Sequence, residues 1–409
     1  MPMTIKIITL GSIFVVLVLF SLFTLAPLVS SRPVASACSN SQALKYQRLT
    51  DLPTNGGTGN AMTFSADGRL IATTGTAFGA QVWDTTTFMP LTVWQDNDQA
   101  LVTVSSLAFS PDGHYLAVGS DDHTTPLYEV TTGKLLRRIK HSYDVRRVQF
   151  SADSRWLASA SWDGSIEIVD LTVAGMATKW RWHPEVTDGT KLLVTDIAIS
   201  PDSRWVASLS QGSWGPSLLD VWDIQTGSRK TLVQWNLAVY SNVIFSPDSR
   251  WLIAGTGSGA PITVWEVGMW REIAQLPTRG PFNRIAISPN GKSITYSENL
   301  DGQNKHNIRV WRTDSWSPLT EFTLDDVVWD VQFSPDSTQI AVAVGQPQLQ
   351  ADGRNLGLHE AQVRDAQTGE VVVRIPQPDS DEVLSVQFSP DGCQLALGTQ
   401  NGVTVWQVR

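Results

Sequence analysis

Phe64-Ser-Ala-Asp-Gly68 returns as Phe109-Ser-Pro-Asp-Gly113, Phe150-Ser-Ala-Asp-Ser154, Ile199-Ser-Pro-Asp-Ser203, Phe245-Ser-Pro-Asp-Ser249, Ile287-Ser-Pro-Asn-Gly291, Phe333-Ser-Pro-Asp-Ser337 and Phe388-Ser-Pro-Asp-Gly392. An apolar residue is followed by Ser, Pro or Ala, Asp or Asn, and Gly or Ser. These residues suit a tight reversal: Pro presets one backbone angle, Asp or Asn bonds back to its own chain, and Gly takes a left-handed conformation without steric cost. Each copy is expected to end one strand and start the next. The anchors stand 45, 41, 49, 46, 42, 46 and 55 residues apart. Short strands and turn residues at that period, without helical periodicity, indicate a four-stranded antiparallel unit repeated around a ring.

The third unit shows the pattern most plainly, with strands expected over 145–150, 156–161, 165–170 and 178–181 and a turn at Asp163-Gly164. Trp83-Asp84 and Trp222-Asp223 close the third strand of their units. The pair softens to Trp265-Glu266, Trp311-Arg312 and Trp406-Gln407, and Tyr128, Val169 and Arg364 replace the Trp elsewhere. Thr-Gly turns follow at Thr132-Gly133, Thr226-Gly227 and Thr368-Gly369. In these features the chain resembles WD-repeat β-propellers, and the resemblance covers about residues 44–409. It implies an all-β fold: a single eight-bladed β-propeller of four-stranded antiparallel blades, named a to d from the centre outward. The family's buried network of Trp, Ser, His and Asp is complete in no unit, since the third has His141 and Asp163 but no Trp. Hydrophobic packing between blades is therefore expected to hold the ring more than polar networks do.

The eighth unit ends at Arg409 without a strand d, which would leave an unpaired edge of the kind natural β proteins avoid. The segment 44–49 alternates apolar and polar residues and is expected to close the ring by pairing with strand c of blade eight. Before it, residues 38–43 read as a linker and 1–37 as an apolar leader helix. Ile7 to Leu28 carries no charge and leads into Ala35-Ser36-Ala37-Cys38. Three fates fit: a signal peptide cleaved at the small residues, a retained anchor long enough to span a bilayer, or lipidation of Cys38. All three place the body outside the cytoplasm, secreted or tethered to the outer side of the cytoplasmic membrane, as a bacterial member of the family. The two cysteines, Cys38 and Cys393, make no disulfide scaffold; a bridge between them is conceivable, but Cys393 reads as a free thiol.

The net charge of −9 argues against nucleic acid as partner, because phosphate binding needs a basic stripe. Six histidines stand singly, without metal-ligand spacing, and Gly255-Thr-Gly-Ser-Gly259 joins two strands where a phosphate loop would lead into a helix. No nucleophile elbow occurs and no cofactor motif is legible, so nothing specifies a reaction.

Binding is placed by two features. In an antiparallel meander the b-c and d-a loops share one face, and the insertions at 183–191, 211–219, 298–307 and 345–360 all fall there. Within strand a the apolar positions are spaced three and then two, as at Val145, Val148 and Phe150, which indicates a β-bulge. The residue three before each turn anchor then rings the central opening: Ala61, Ser106, Arg147, Asp196, Asn242, Arg284, Asp330 and Ser385. From the family's habit of binding near this opening, Arg146, Arg147, Asp196, Arg284, Trp329 and Asp330 are partner-binding candidates; a solvated rim of mixed charge is the plain alternative. A second patch is suggested by Arg155-Trp156, Arg204-Trp205 and Arg250-Trp251 at the opposite face, or these Trp residues cover the core edge. The expected function is a non-enzymatic, monomeric scaffold for a protein or peptide partner, with membrane contact through the leader if retained. The alternative is a propeller hydrolase or lyase using the central channel.

Overall fold

A computed structural model describes residues 46–53, 61–75, 79–94, 103–184, 192–212, 216–235, 241–256, 260–300, 305–345, 359–377 and 381–408. The leader, the linker, Cys38 and most of the four insertions lie outside these residues. The described residues contain 32 strands in eight four-stranded antiparallel sheets and no helix. Blade three has strands Val145–Phe150, Trp156–Ser161, Ile166–Asp170 and Thr178–Trp182.

The repeated turn works as its residues require. In blade two the Ser110 hydroxyl donates to Asp112 Oδ1 and accepts the Tyr115 N–H, while Asp112 Oδ1 also accepts the His114 N–H. Burial pushes the Asp112 carboxyl up, but these hydrogen bonds outweigh it and hold it below the usual range. The fifth residue takes positive φ in every blade, whether Gly113 (74°) or Ser203 (59°). Where it is Ser, the hydroxyl has a second use. Ser154, Ser203, Ser249 and Ser337 each accept the backbone N–H of Asp112, Asp153, Asp202 and Asn290, in the preceding blade's turn, at 3.0, 3.2, 2.9 and 3.1 Å. These four turns are stapled to their neighbours.

The main apolar clusters fall one at each blade junction. Alternation along the strands explains the division: Trp156, Ala158 and Ala160 face blade four, whereas Leu157 faces blade two. Small Ala residues at the strand centres let neighbouring sheets approach.

The ring closes through an N-terminal strand, Tyr46–Pro53, antiparallel to Gly402–Val408 of blade eight. It runs four residues further than expected, and residues 44 and 45 of the expected strand lie outside the described residues. The extension matters, because Leu52 is buried between blades eight and one against Phe64, Trp83 and Val405. At the strand's other end Tyr46 Oη donates to Gln339 Oε1 of blade seven at 2.9 Å. One segment thus ties three blades together.

Two expectations are corrected. Cys393 is disulfide-bonded and no described cysteine is free, so the free-thiol reading fails. Cys393 lies where the N-terminal segment arrives: Tyr46 pairs with Val408, whose N–H donates to the Cys393 carbonyl. The chain's other cysteine, Cys38, precedes that strand by eight residues. Polar contacts between blades are also more extensive than expected, at the turns just described and at the inner rim described below.

The Arg-Trp repeats serve the core edge. Trp156 is fully buried, and Trp205 and Trp251 pack edge-on against Trp270 and Trp316 of the following blades, with centroids 5.0 and 5.1 Å apart. Arg155 and Arg204 lie over their neighbouring rings and pair with Asp170 and Asp223. Trp270 and Trp316 stand at positive φ, in the c-d turn position held by glycine in blades two, four and seven. Gly227 shows why glycine is used there: a Cβ would meet the Trp180 ring at 2.9 Å.

Candidate functional site

The bulge predicted in strand a is present. Register shifts occur between Val104 and Ser106, Val145 and Arg147, Val194 and Asp196, Phe282 and Arg284, Val328 and Asp330, and Val383 and Ser385. Each shift turns the following side chain toward the axis. All eight predicted ring residues line one central cavity of about 390 Å³, together with Arg146, Thr195, Gln332 and others.

Strand a is the edge strand of each sheet, so alternate backbone N–H groups have no ladder partner, and in four blades the ring residue of the preceding blade accepts one. Val148 N–H donates to Ser106 Oγ (3.2 Å), Val243 N–H to Asp196 Oδ2 (3.0 Å), Ile285 N–H to Asn242 Oδ1 (3.2 Å) and Val386 N–H to Asp330 Oδ2 (3.2 Å). Arginine cannot accept, so Arg147 and Arg284 instead reach the next blade's carboxylates, Asp196 at 3.2 Å and Asp330 at 3.0 Å. Asn242 Nδ2 donates to the buried Asp196 at 2.8 Å. The inner rim is therefore a chain of blade-to-blade contacts.

This sorts the six candidates. Asp196 and Asp330 are occupied as acceptors, and Arg147 and Arg284 are their counter-ions. Trp329 does not line the cavity; its indole N–H donates to Glu382 Oε1 at 2.8 Å, and Gln400 holds the other carboxylate oxygen. Arg146 differs from the rest. Its guanidinium lies 4.4 Å from the Trp162 ring centroid and donates to Ser105 Oγ at 3.4 Å, and among the described residues no carboxylate lies within ion-pair distance.

Trp162 continues a series of rings that sequence reading missed. Tyr143, about half exposed, lies 6.4 Å from Trp162 and 5.5 Å from His123, and His123 faces Asp144 at 3.8 Å. Tyr143 belongs to the d-a loop entering blade three, whereas Trp162 and His123 sit in b-c turns. The available signal was the shared face of those loops, since the residues are scattered along the chain. His141, by contrast, is consumed structurally, with its ring nitrogens 2.9 and 3.0 Å from Ser165 and Ser159. Among the described residues no three His, Cys, Asp or Glu side chains are grouped as a metal site.

The strands and ring define an eight-bladed propeller of the WD-repeat kind. The family model described as Cytochrome D1 heme domain matches residues 71–408, and the chain belongs to that family. Among curated proteins it is similar to Periodic tryptophan protein 2 of Arabidopsis thaliana, 26% identical over 51% of this chain and 22% of that one. It is also similar to Target of rapamycin complex subunit wat1 of Schizosaccharomyces pombe, 24% identical over 53% of this chain and 67% of that one. The chain spans only about a fifth of the length of the Arabidopsis relative. Among solved structures the Dos1 propeller matches with TM-score 0.71 at 15% identity, covering 88% of this chain and 95% of that one, which supports the fold alone.

The relatives correct the localisation. They are intracellular eukaryotic proteins, so an exported or membrane-tethered bacterial body is not sustained. Among the described residues no helix is long and apolar enough to cross a membrane. The leader that prompted the expectation was read from hydropathy alone and lies outside those residues.

Proposed function

We propose that the chain is a non-enzymatic scaffold that captures a protein or peptide partner at the central mouth on the face of the b-c and d-a loops. One observation carries this reading: Arg146, lying over Trp162 beside the exposed Tyr143, has no carboxylate partner among the described residues and presents a charge and aromatic surface at the mouth. Aromatic residues and Arg are favoured interface anchors. The relatives lend support, one being named as a subunit of a larger complex.

The family's name raises the question of a haem. A haem pocket needs apolar walls for the macrocycle and an axial donor such as His, Cys, Met or Tyr. The cavity is walled largely by Ser, Thr, Asn, Gln, Arg and Asp, with two Arg–Asp pairs across it and Met62 as its single lining residue of donor type. These residues do not fit a haem, and no role is derived from one. The enzyme alternative gains no specific observation, because Asp196 and Asp330 already accept from the next blade's backbone and pair with arginine, which leaves neither as a general base.

The test is affinity capture with the full chain as bait, comparing wild type with a Tyr143→Ala/Trp162→Ala variant. Loss of a specific bound protein at unchanged melting temperature is expected. Equal capture by the variant, or no specific capture by either, counts against the reading.

A further inference from the structure

Resting on the mouth as a protein-binding site, we infer that it selects an acidic segment of the partner, with a Glu or Asp side chain meeting Arg146. Charge decides this. The cavity lining carries three arginines, Arg146, Arg147 and Arg284, against two aspartates, Asp196 and Asp330. Both aspartates are neutralised by Arg147 and Arg284, so the surplus charge belongs to Arg146. This positive mouth sits in a chain of net charge −9, where random placement would favour an acidic surface.

Geometry adds to charge. The Trp162 ring covers one side of the guanidinium, whose Nη1 reaches Ser105, and the remaining N–H groups are left for a carboxylate oxygen. A carboxylate offers two such oxygens. Tyr143, half exposed beside Trp162, supplies the platform over which the backbone of an extended segment would lie. The nearby acids do not reach Arg146 directly: Asp144 faces His123, and Asp121 accepts from Ser105, which stands between it and Arg146.

The experiment uses the full chain and two fluorescein-labelled peptides of equal length, one alternating Glu and Gly and the other Gln and Gly, read by fluorescence anisotropy. The Glu peptide is expected to bind at least roughly tenfold tighter, as one charge-assisted hydrogen-bonded pair supplies. Arg146→Gln should abolish that preference and Arg146→Lys should keep part of it. Arg69→Gln makes the same charge change at the a-b turn of the opposite face, where Arg69 is exposed, and should leave the preference intact. Equal binding of the two peptides overturns the inference while leaving the scaffold reading in place. Persistence of the preference in Arg146→Gln overturns it by moving the acid site elsewhere. Competition by inorganic phosphate at peptide-like concentration overturns it in favour of a small-anion site. If neither peptide binds, the inference fails outright, and the capture experiment above still judges the scaffold reading separately.

Discussion

Ser203 offers a direct test of what fixes the blades at the turn face. Its φ is 59°, a region that costs a residue bearing Cβ about 1–2 kcal/mol relative to glycine. Its hydroxyl accepts the Asp153 N–H of the preceding blade at 3.2 Å, worth about 0.5–1.5 kcal/mol. Ser203→Ala keeps the strained backbone and loses the bond, so stability should fall by about 1 kcal/mol. Ser203→Gly loses the same bond and relieves the strain, less about 0.5–1 kcal/mol for glycine's freedom when unfolded, so its net change should be near zero. Alanine should therefore be the worse of the two substitutions. The staples of Ser154, Ser203 and Ser249 are separate bonds in consecutive blades, so a triple Ala variant should lose about 3 kcal/mol. The converse position is Gly113, where a Cβ would find nothing within 4 Å and a Ser hydroxyl would stand next to the turn of blade one. Gly113→Ser should cost less than Gly113→Ala. Urea unfolding followed by fluorescence and by circular dichroism measures these differences, with coincident transitions as the two-state check. A Ser203→Ala protein as stable as wild type, or a Ser203→Gly protein less stable than Ser203→Ala, would refute the staple.

Leu52→Ala removes a side chain buried between blades eight and one and should cost roughly 2–5 kcal/mol in urea unfolding, whereas no loss would mean the closing strand adds little. Burial holds the His306 imidazole down at about 4, against 6.5 when unfolded. Between those values the unfolded chain binds the extra proton, so the neutral ring's stability is fully present above pH 6.5 and is lost as pH falls toward 4. His306→Leu should flatten stability over that window, and an unchanged pH profile would refute this origin. Asp330→Ala removes the acceptor of Val331 and Val386 and strands Arg284, so a loss of roughly 3–5 kcal/mol is expected; Arg146→Gln should stay within about 0.5 kcal/mol, and thermal melting of the two separates a structural rim residue from a presented one.

The architecture was largely legible because its signals are local and repeated. A Ser-Pro-Asp turn specifies its own hydrogen bonds within five residues, and eight copies outweigh a missing Trp in any one blade. The bulge was legible too, since a break in period-two alternation is visible in Val145, Val148 and Phe150. What escaped reading depends on contacts between blades about 45 residues apart. Ser and Gly at the fifth turn position look interchangeable until Ser203 is seen to accept from Asp153. Tyr143, Trp162 and His123 belong to two blades and three loops, and nothing in their spacing announces a stack. The localisation failed for another reason: hydropathy of the first residues was made to speak for the whole chain.

The inner rim shows how structure and binding divide the same strand. The edge strands leave inward N–H groups that need acceptors, and in blades three, five, six and eight the preceding ring residue supplies one. Ser, Asp and Asn meet that need, whereas Arg cannot. Both blades that place Arg in the ring are followed by one that places an acid there, which the Arg pairs with: Arg147 precedes Asp196, and Arg284 precedes Asp330. The conspicuous charges of the ring are thus paired across blades. Arg146 lies outside these pairs and occupies the bulge itself, one residue before the ring position. The corresponding Ser105, Thr195 and Trp329 differ from it and from one another: Trp329 bonds to Glu382 at the entry to blade eight, whereas Arg146 reaches back to Ser105 and lies over Trp162.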